Sequence, residues 1–448
     1  MKEVLNFINK YIHEHDIIKL HNCSNEKSVY QILNNKNKNV GFISLTKDNE
    51  LESFIYTGKL NKYKQHMSKE NMIKRTKEFL NDSNLILASV DIYANSAKIN
   101  YEEKDINYNL RLPNTGVSFV LNLAGDILSF NKNTQDYKVI TPQKIITEKE
   151  AKSRYLNQLE IDLKISKLSQ HDHYKLMYSL NEKVNHIPAS GNKVKVNTSN
   201  NELKSLEPYT PSSKNLFKIL GLYGDYVRIG KRNKKNCKIE LWSKYAKKSF
   251  KQLNFDLNTP QTDVVKYKID KHTNKIIQVS NGEIYRNYVD EPLIYKEAYN
   301  RALDFLFSIY PKADEFFDVI DPIVDKKEKT YQAYEPNYMY YFNCVHDSIE
   351  VENQIAYIGL GKYTGKINQY RAPSVTEKNL AHINVFAKIS EAEAKIIYER
   401  NLKMKLGFIK KYDQENNIIY ELAYLPVLFE NHSNKHYLDA HEGTVYEV

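Results

Sequence analysis

Cysteine is scarce in this chain of 448 residues: Cys23, Cys237 and Cys344 are scattered, odd in number and form no CxxC pair. A disulfide framework and a zinc knuckle are therefore not indicated, and ordinary reduced thiols are expected. Cys23 and Cys237 each read as part of a polar turn, HNCSN and KNCKI. Nowhere is there an apolar run of about 18 residues, so no bilayer-spanning helix is expected. The opening segment MKEVLNFINKYIHEHD lacks an apolar stretch of signal-peptide length, which points to a soluble, cytoplasmic protein. The only tryptophan, Trp242, lies in the strand-like KIELWSK and is expected to fill a core.

Catalytic signatures are missing as well. There is no GxSxG elbow, no HExxH helix and no Cys/His dyad. GLGKYTGK (359–366) fails the phosphate-loop spacing, because no Gly stands five residues before a Gly-Lys-Ser/Thr, and reads as a hairpin turn. Gly221, Gly224 and Gly230 read as helix stops and turn positions. Two His-x-His pairs, His13/His15 and His171/His173, would each set two imidazoles on one strand face, but no third ligand follows at a matching spacing. Asp318, Asp321 and Asp325 share one helical edge without the pattern of a calcium loop, and read as solvated charge. No catalytic, cofactor-binding or metal-binding residue is nominated.

What the chain does have is a duplication. VGFISLTKDNELES (40–53) matches VKYKIDKHTNKIIQ (265–278) at a constant offset, with Val40 facing Val265, Phe42 facing Tyr267 and Leu51 facing Ile276. Upstream, Leu5, Ile8 and Tyr11 correspond to Leu216, Ile219 and Leu222, both with the spacing of a short amphipathic helix. A second helix, Ser68–Leu80, corresponds to roughly 293–308, and VSFVLNLAGDILSF (117–130) to IAYIGLGKYTGKIN (355–368), with Gly125 opposite Gly365. The strongest match is ITEKEAKSRYLNQLEIDLKI (146–165) against ISEAEAKIIYERNLKMKLGF (389–408). Thr147 with Glu150, and Ser390 with Glu393, have the spacing of a capping box. YKLMYSL (174–180) then matches YELAYLP (420–426), and 193–206 is set against 436–448.

Strands rich in Tyr, Ile and Val alternate with Lys, Asn and Glu, the pattern of antiparallel sheets with one face on a core. Helices between hairpins would cover the apolar face, giving an α+β fold. The expected organisation is two tandem copies, 1–206 and 215–448, joined by the linker 207–214 (EPYTPSSK), whose prolines and serines interrupt the patterning. The insertion 311–336 in the second copy reads as a surface excursion. Lys and Arg number 65 against 55 Asp and Glu, a net charge of +10 that is modest for this length and interleaved with acid. The Lys/Asn/Tyr/Ile bias matches the coding habit of an AT-rich genome. The most basic stretch, Arg228–Lys251, reads as a solvated hairpin turn followed by a solvated helix face, with nucleic-acid binding as the alternative.

Three segments carry a family resemblance: YLDAHEGTVYEV (437–448), VVKYKIDKHTNKII (264–277) and ISEAEAKIIYERNL (389–402). The first looks like the strand that an Asp-Ala-x-x-Gly turn closes. Together they resemble PepSY-type modules, in an order similar to the YcdB/YcdC repeated-domain proteins of Firmicutes. The first copy departs from the pattern, with Asn197-Thr198 where Asp-Ala is expected and no Gly after it. The resemblance implies an association with propeptides, protease inhibition and the cell-envelope environment, and brings no catalytic residue.

The leading expectation is thus a non-enzymatic binding or regulatory protein whose two PepSY-like modules recognise a protein or peptide partner through sheet faces or edges. Tyr-rich strands such as YMYYFNCV (338–345) would supply amphipathic contact area. The alternatives are a hydrolase of unrecognised type with a cleft between the repeats, and nucleic-acid binding through 228–251. No cofactor is implied.

Overall fold

The computed structural model describes residues 17–22, 29–34, 36–46, 48, 50–58, 66–80, 84–133, 135–168, 173–182, 184–194, 203–213, 215–283, 291–320, 335–429 and 436–447. Leu5, Ile8, Tyr11, His13, His15, Cys23, His171, Asn197, Thr198, Asp321 and Asp325 lie outside them. The fold is α+β, built mostly of antiparallel sheet with helices laid on it.

The alternation in 40–53 becomes the hairpin β3 (Asn39–Leu45) and β4 (Leu51–Tyr56), which follows β1 (Ile17–Asn22) and β2 (Val29–Asn34). Ile43, Leu45, Phe54 and Tyr56 go to the core, while Phe42 and Ile55 face outward. Gly41 is required there, because a Cβ would stand 2.1 Å from the Ile55 carbonyl oxygen of the neighbouring strand. Helix α1 (Lys69–Leu80) covers the sheet with Met72, Thr76 and Phe79, spaced three and four apart on one face. The Phe79 ring meets Phe119 at 5.3 Å and Phe130 at 5.1 Å. Thr76, fully buried, meets the Tyr101 hydroxyl at 2.8 Å and so leaves no polar group stranded in this core.

The remaining strands of this sheet are β5 (Leu85–Ile92), β6 (Ser96–Glu103), β7 (Val117–Asn122) and β8 (Ile127–Lys132), in the order β1-β2-β3-β4-β8-β7-β6-β5. The second copy repeats it. Its strands are β14 (Val227–Asn233), β15 (Cys237–Ser243), β16 (Val265–Asp270), β17 (Ile276–Asn281), β18 (Phe317–Ile320), β19 (Asn337–His346), β20 (Ile349–Gly361) and β21 (Ile367–Arg371). They pair in the path β14-β15-β16-β17-β21-β20-β19-β18, extended by β13 (Leu203–Ser205) beyond β18. Helix α3 (Tyr295–Ile309) takes the place of α1, burying Ala298, Ala302, Phe305, Leu306 and Ile309. The turn glycines Gly125 and Gly365 both have positive φ, +90° and +65°.

After each sheet comes a capped helix and a hairpin. Helix α2 (Glu148–Leu156) and helix α4 (Glu391–Asn401) both start with the reciprocal capping predicted from their sequences: Thr147 Oγ1 accepts from Glu150 N at 3.2 Å and Ser390 Oγ from Glu393 N at 3.3 Å. Ala151 and Tyr155, like Ala394 and Tyr398, point inward and are buried. The hairpins are β10 (Leu159–Lys167) with β11 (Tyr174–Glu182), and β22 (Leu402–Tyr412) with β23 (Ile418–Leu428).

The chain divides into two compact units, each discontinuous in sequence: 1–158, 184–196 and 402–430 form the first, and 159–183, 197–401 and 431–448 the second. The units are therefore cut differently from the copies. In the first unit β23 pairs with β9 (Tyr137–Ile140) and β12 (Ile187–Pro188), and Phe408, Tyr420 and Leu422 share a core with Leu112 and Ala189. In the second, β11 pairs with β24 (His436–Asp439), which pairs with β25 (Val445–Glu447), while β10 meets β20 through Ile165 and Val351. Each hairpin thus lies in the unit whose sheet comes from the other copy. A hairpin closes on local contacts alone, so either copy can supply it without altering its own fold.

Matched bonds prove the equivalence of the two sites. Tyr424 Oη donates to Ile146 O at 2.8 Å, and Tyr178 Oη to Ile389 O at 2.7 Å. Ile146 N reaches Ala189 O, and Ala189 N reaches Leu422 O; Ile389 N likewise reaches Ala440 O, and Ala440 N reaches Leu176 O. These pairs correct the alignment of the copy ends: 436–448 corresponds to the segment starting at Asn185, not to 193–206. The first copy does keep its turn glycine, Gly191 at φ +76°, against Gly443 at +69°.

Further expectations change as well. Residues 313–320 are one helical turn and the strand β18, not a surface excursion, so Asp318 sits on a strand rather than a helical edge. Residues 247–249 form a single 3₁₀ turn instead of a helix face. Cys237 is buried at the start of β15, not in a turn, and Gly230 sits at a register shift within β14.

A fragment ending at residue 206 would lack β22 and β23. In hydrogen exchange, the amides of β3, β4, β6 and β7 are expected to stay protected in it, while those of β9 and Ala189 exchange freely; protection of β9 would contradict the assignment of 402–430 to this unit.

Candidate functional site

A groove of about 800 Å³ opens on the second unit. Three segments line it: His173–Leu176 at the start of β11, residues 378–388, and residues 439–442 after β24. Each is shaped by local hydrogen bonding. The Asn379 side chain accepts from the Thr376 backbone N–H at 2.9 Å and hydroxyl at 2.7 Å, fixing the single turn Glu377–Leu380. Beyond it, Asn384 Oδ1 accepts from Phe386 N at 3.0 Å, an Asx turn that redirects the chain. Lys388 N and Ile389 N both donate to Ala440 O, tying this segment to the turn after β24.

Asp439 organises that turn. Its Oδ1 accepts from His441 N at 2.9 Å and Glu442 N at 3.1 Å, and its Oδ2 from Lys175 Nζ at 2.9 Å. Lys175 Nζ also donates to the Tyr446 hydroxyl at 3.0 Å. Burial alone would raise the Asp439 carboxyl, whose side chain is 3% exposed, but the Lys175 ammonium and the two backbone N–H groups outweigh it and hold it below its ordinary range. Lys175 is held above the usual lysine range by its bonds to Tyr446 and Asp439. This pair is locked in mutual stabilisation. Around it stand the exposed side chains of His173, Lys378, His382 and Lys388, so the rim offers cations and N–H donors, with Glu442 as the counterweight.

The residues singled out from the sequence are placed as follows. His173 reaches the groove, and among the described residues no cluster of three or more His, Cys, Asp or Glu could hold a metal ion. GLGKYTGK forms the β20–β21 turn, where the buried Glu335 carboxylate accepts from Tyr363 N, Thr364 N and Thr364 Oγ1, a structural cap on the loop. Cys344 is fully buried, and burial pushes its thiol up, the environment of an inert side chain. Trp242 stacks on Tyr267 and under the half-exposed Phe217 at the margin of the second sheet. In the basic stretch, Lys231, Arg232, Lys234 and Lys235 are exposed at a hairpin tip, while Arg228 and Lys238 pair with Glu240 at 3.4 and 2.9 Å. YMYYFNCV, as β19, buries Tyr340 and leaves Tyr341 38% exposed, so only part of its tyrosine surface faces outward. Among the described residues no helix is long and apolar enough to cross a membrane.

Sequence reasoning missed Lys175, Lys378 and Lys388. The signal was an asymmetry between copies, Lys175 and Asp439 against Glu421 and Pro188. Setting 193–206 against the chain's end concealed it.

Lys175→Met leaves a nearly buried carboxylate without its cation, and a loss of about 2 kcal/mol is expected in urea unfolding at pH 7. Because the Asp439 carboxyl titrates below its ordinary 3.8, its contribution is complete above that pH and is lost as the pH falls through the lowered value. The parent and Asp439→Asn should therefore differ in thermal midpoint at pH 7 and converge in acid. Equal midpoints at pH 7 would show that the pair adds nothing.

Residues 224–374 match the family described as the YcdB, YcdC repeated domain. That segment runs from just before β14 to just after β21, and so comprises the second eight-strand path with α3, without the exchanged hairpin. The chain is also 22% identical over 293 residues to the uncharacterized protein YcdC of Bacillus subtilis (strain 168), covering 64% of this chain and 62% of that protein. The chain thus spans less than two thirds of that relative's length. A solved structure, the Bacillus megaterium YpeB C-terminal domain, is 18% identical, covers 40% of this chain and 85% of that one, and superposes with a TM-score of 0.28; the fold assignment rests instead on the strand order. Residues 224–374 are thus similar to the YcdB, YcdC repeated domain, on a duplicated α+β chain that resembles YcdC.

Proposed function

We propose that this chain is a non-enzymatic binding protein whose PepSY-like modules recognise a protein or peptide partner. The observation that carries the reading is the groove on the second unit. Its charged pair, Lys175 with the buried Asp439, is committed to holding the turn, and the rest of its lining presents donors and cations to the outside. Catalysis by a side chain calls for a nucleophile or base poised near the reaction pH and within reach of a substrate atom. Binding calls for an open concave surface with a few directed polar groups, which is what this groove supplies.

Panning a random peptide display library against the whole chain is expected to enrich sequences that, once synthesised, bind in solution with micromolar affinity or better. If no sequence is enriched and the chain instead turns over ester, peptide or phosphate substrates in a manner abolished by Lys378→Ala or Lys388→Ala, the binding reading fails.

A further inference from the structure

Internal duplication provides a template for the groove. In the first unit, β23 uses its outer edge twice: Ala423 and Tyr424 pair with β12, and Ile418–Glu421 pair in parallel with β9, in the register Ile418 to Tyr137 and Glu421 to Ile140. In the second unit, among the described residues, β11 uses the equivalent edge once. Met177–Ser179 pair with β24, and Ala440 N donates to Leu176 O, the counterpart of Ala189 N to Leu422 O. Beyond that point, where β9 would lie, His173–Leu176 face the groove, and among the described residues no strand pairs with this edge. The chain that corresponds to β9 has been drawn aside: Ser374 N and Val375 N both donate to Gln354 Oε1 at 3.0 Å, and Glu377–Leu380 coil into a turn with Leu380 buried. The groove is a strand position that one copy fills and that no described residue of the other pairs with.

Its chemistry also differs from the filled one. Glu421 of the first unit is replaced by Lys175, and Lys378 and Lys388 stand exposed on the rim, against Glu442 alone once Asp439 is counted with Lys175. Taking the binding reading above as its basis, we infer that this slot accepts an extended acidic peptide, which adds as a parallel strand along His173–Lys175. Addition to an open edge draws affinity from main-chain bonds and specificity from the side chains that flank it. Along a strand, the N–H and C=O of one residue point the same way and those of the next point opposite. Because Leu176 O faces β24, the N–H and C=O of Tyr174 face the open slot, as those of Tyr420 face β9.

The probe is a dye-labelled octapeptide in which Glu alternates with Val, followed by fluorescence anisotropy on the whole chain. Two comparison peptides are used: Lys in place of Glu, and the acidic peptide with alternate amides N-methylated. The acidic peptide is expected to bind. N-methylation and Tyr174→Pro should each weaken it by about ten-fold or more, the loss of one or two backbone bonds, whereas Tyr174→Ala keeps the N–H and should weaken it by less than about three-fold. Lys378→Glu with Lys388→Glu should weaken it further and favour the Lys peptide. The N-methylated peptide tests the ladder on the unaltered chain, so the outcome stands even if Tyr174→Pro fails to fold. Equal binding of the acidic and Lys peptides, or of the methylated and unmethylated ones, overturns the inference. If display peptides bind but Tyr174→Pro leaves them unaffected, the slot is refuted while the binding reading survives; if no peptide binds at all, both fall.

Discussion

Neither compact unit is complete on one sequence copy: the hairpin that follows each capped helix is packed into the unit built on the other copy's sheet. The rest of the structure depends on this constraint. It fixes which helix meets which strand, since α2 finds β22 and α4 finds β10. It also sets the chain path, which must pass between units wherever a hairpin is delivered or taken back. The same short-range physics serves both hairpins. A tyrosine hydroxyl, Tyr178 or Tyr424, reaches a backbone carbonyl just before the capped helix, and an alanine, Ala440 or Ala189, is clamped by main-chain bonds on both its N–H and its C=O. Such bonds satisfy backbone groups that burial would otherwise leave without partners.

Around that shared frame the copies have diverged in charge. The second unit joins Lys175 to Asp439 at a turn that also needs the left-handed Gly443. The first replaces this acid by Pro188, shortens the turn and draws Lys411 to Glu421. A proline cannot organise a turn through a side-chain carboxylate, so the ion pair and the longer turn belong together. The stretch between the last sheet strand and the capped helix has diverged with them. In one unit it is the strand β9, whose Tyr137 ring meets Tyr420 edge-on at 5.1 Å and whose hydroxyl bonds to Glu103. In the other it is a coil held by Gln354, and an open groove results.

The buried polar groups follow one rule across both sheets. Thr76 and Tyr101 answer each other in the first core. In the second, Lys266 is fully buried, and its ammonium donates to the carbonyls of Asp256 and Thr259 at 2.7 Å each, while burial holds it below the usual lysine range. Glu240 accepts from Tyr267 and Lys238, and Glu283 from Tyr226 and Lys366. Lys266 and Glu283 anchor loop segments to the sheet, Glu240 joins neighbouring strands, and Thr76 joins a helix to a strand. Burial and pairing within the fold account for the shifts of these side chains.

The sequence alone determined much of what rests on short-range order. Alternation located the hairpins, the capping residues located α2 and α4, and repeated residues located the duplication down to the opposed glycines 125 and 365. The ungapped match of 146–165 to 389–408 also sets Tyr155 opposite Tyr398, and the structure buries both. What only the tertiary structure decided is which strands meet: that 418–421 lie beside 137–140, that 177–179 lie beside 437–439, and that no described strand pairs with the edge at His173–Lys175. An edge strand presents the same backbone donors and acceptors whatever its sequence, so its partner is chosen by where the chain is delivered. No local pattern records that choice.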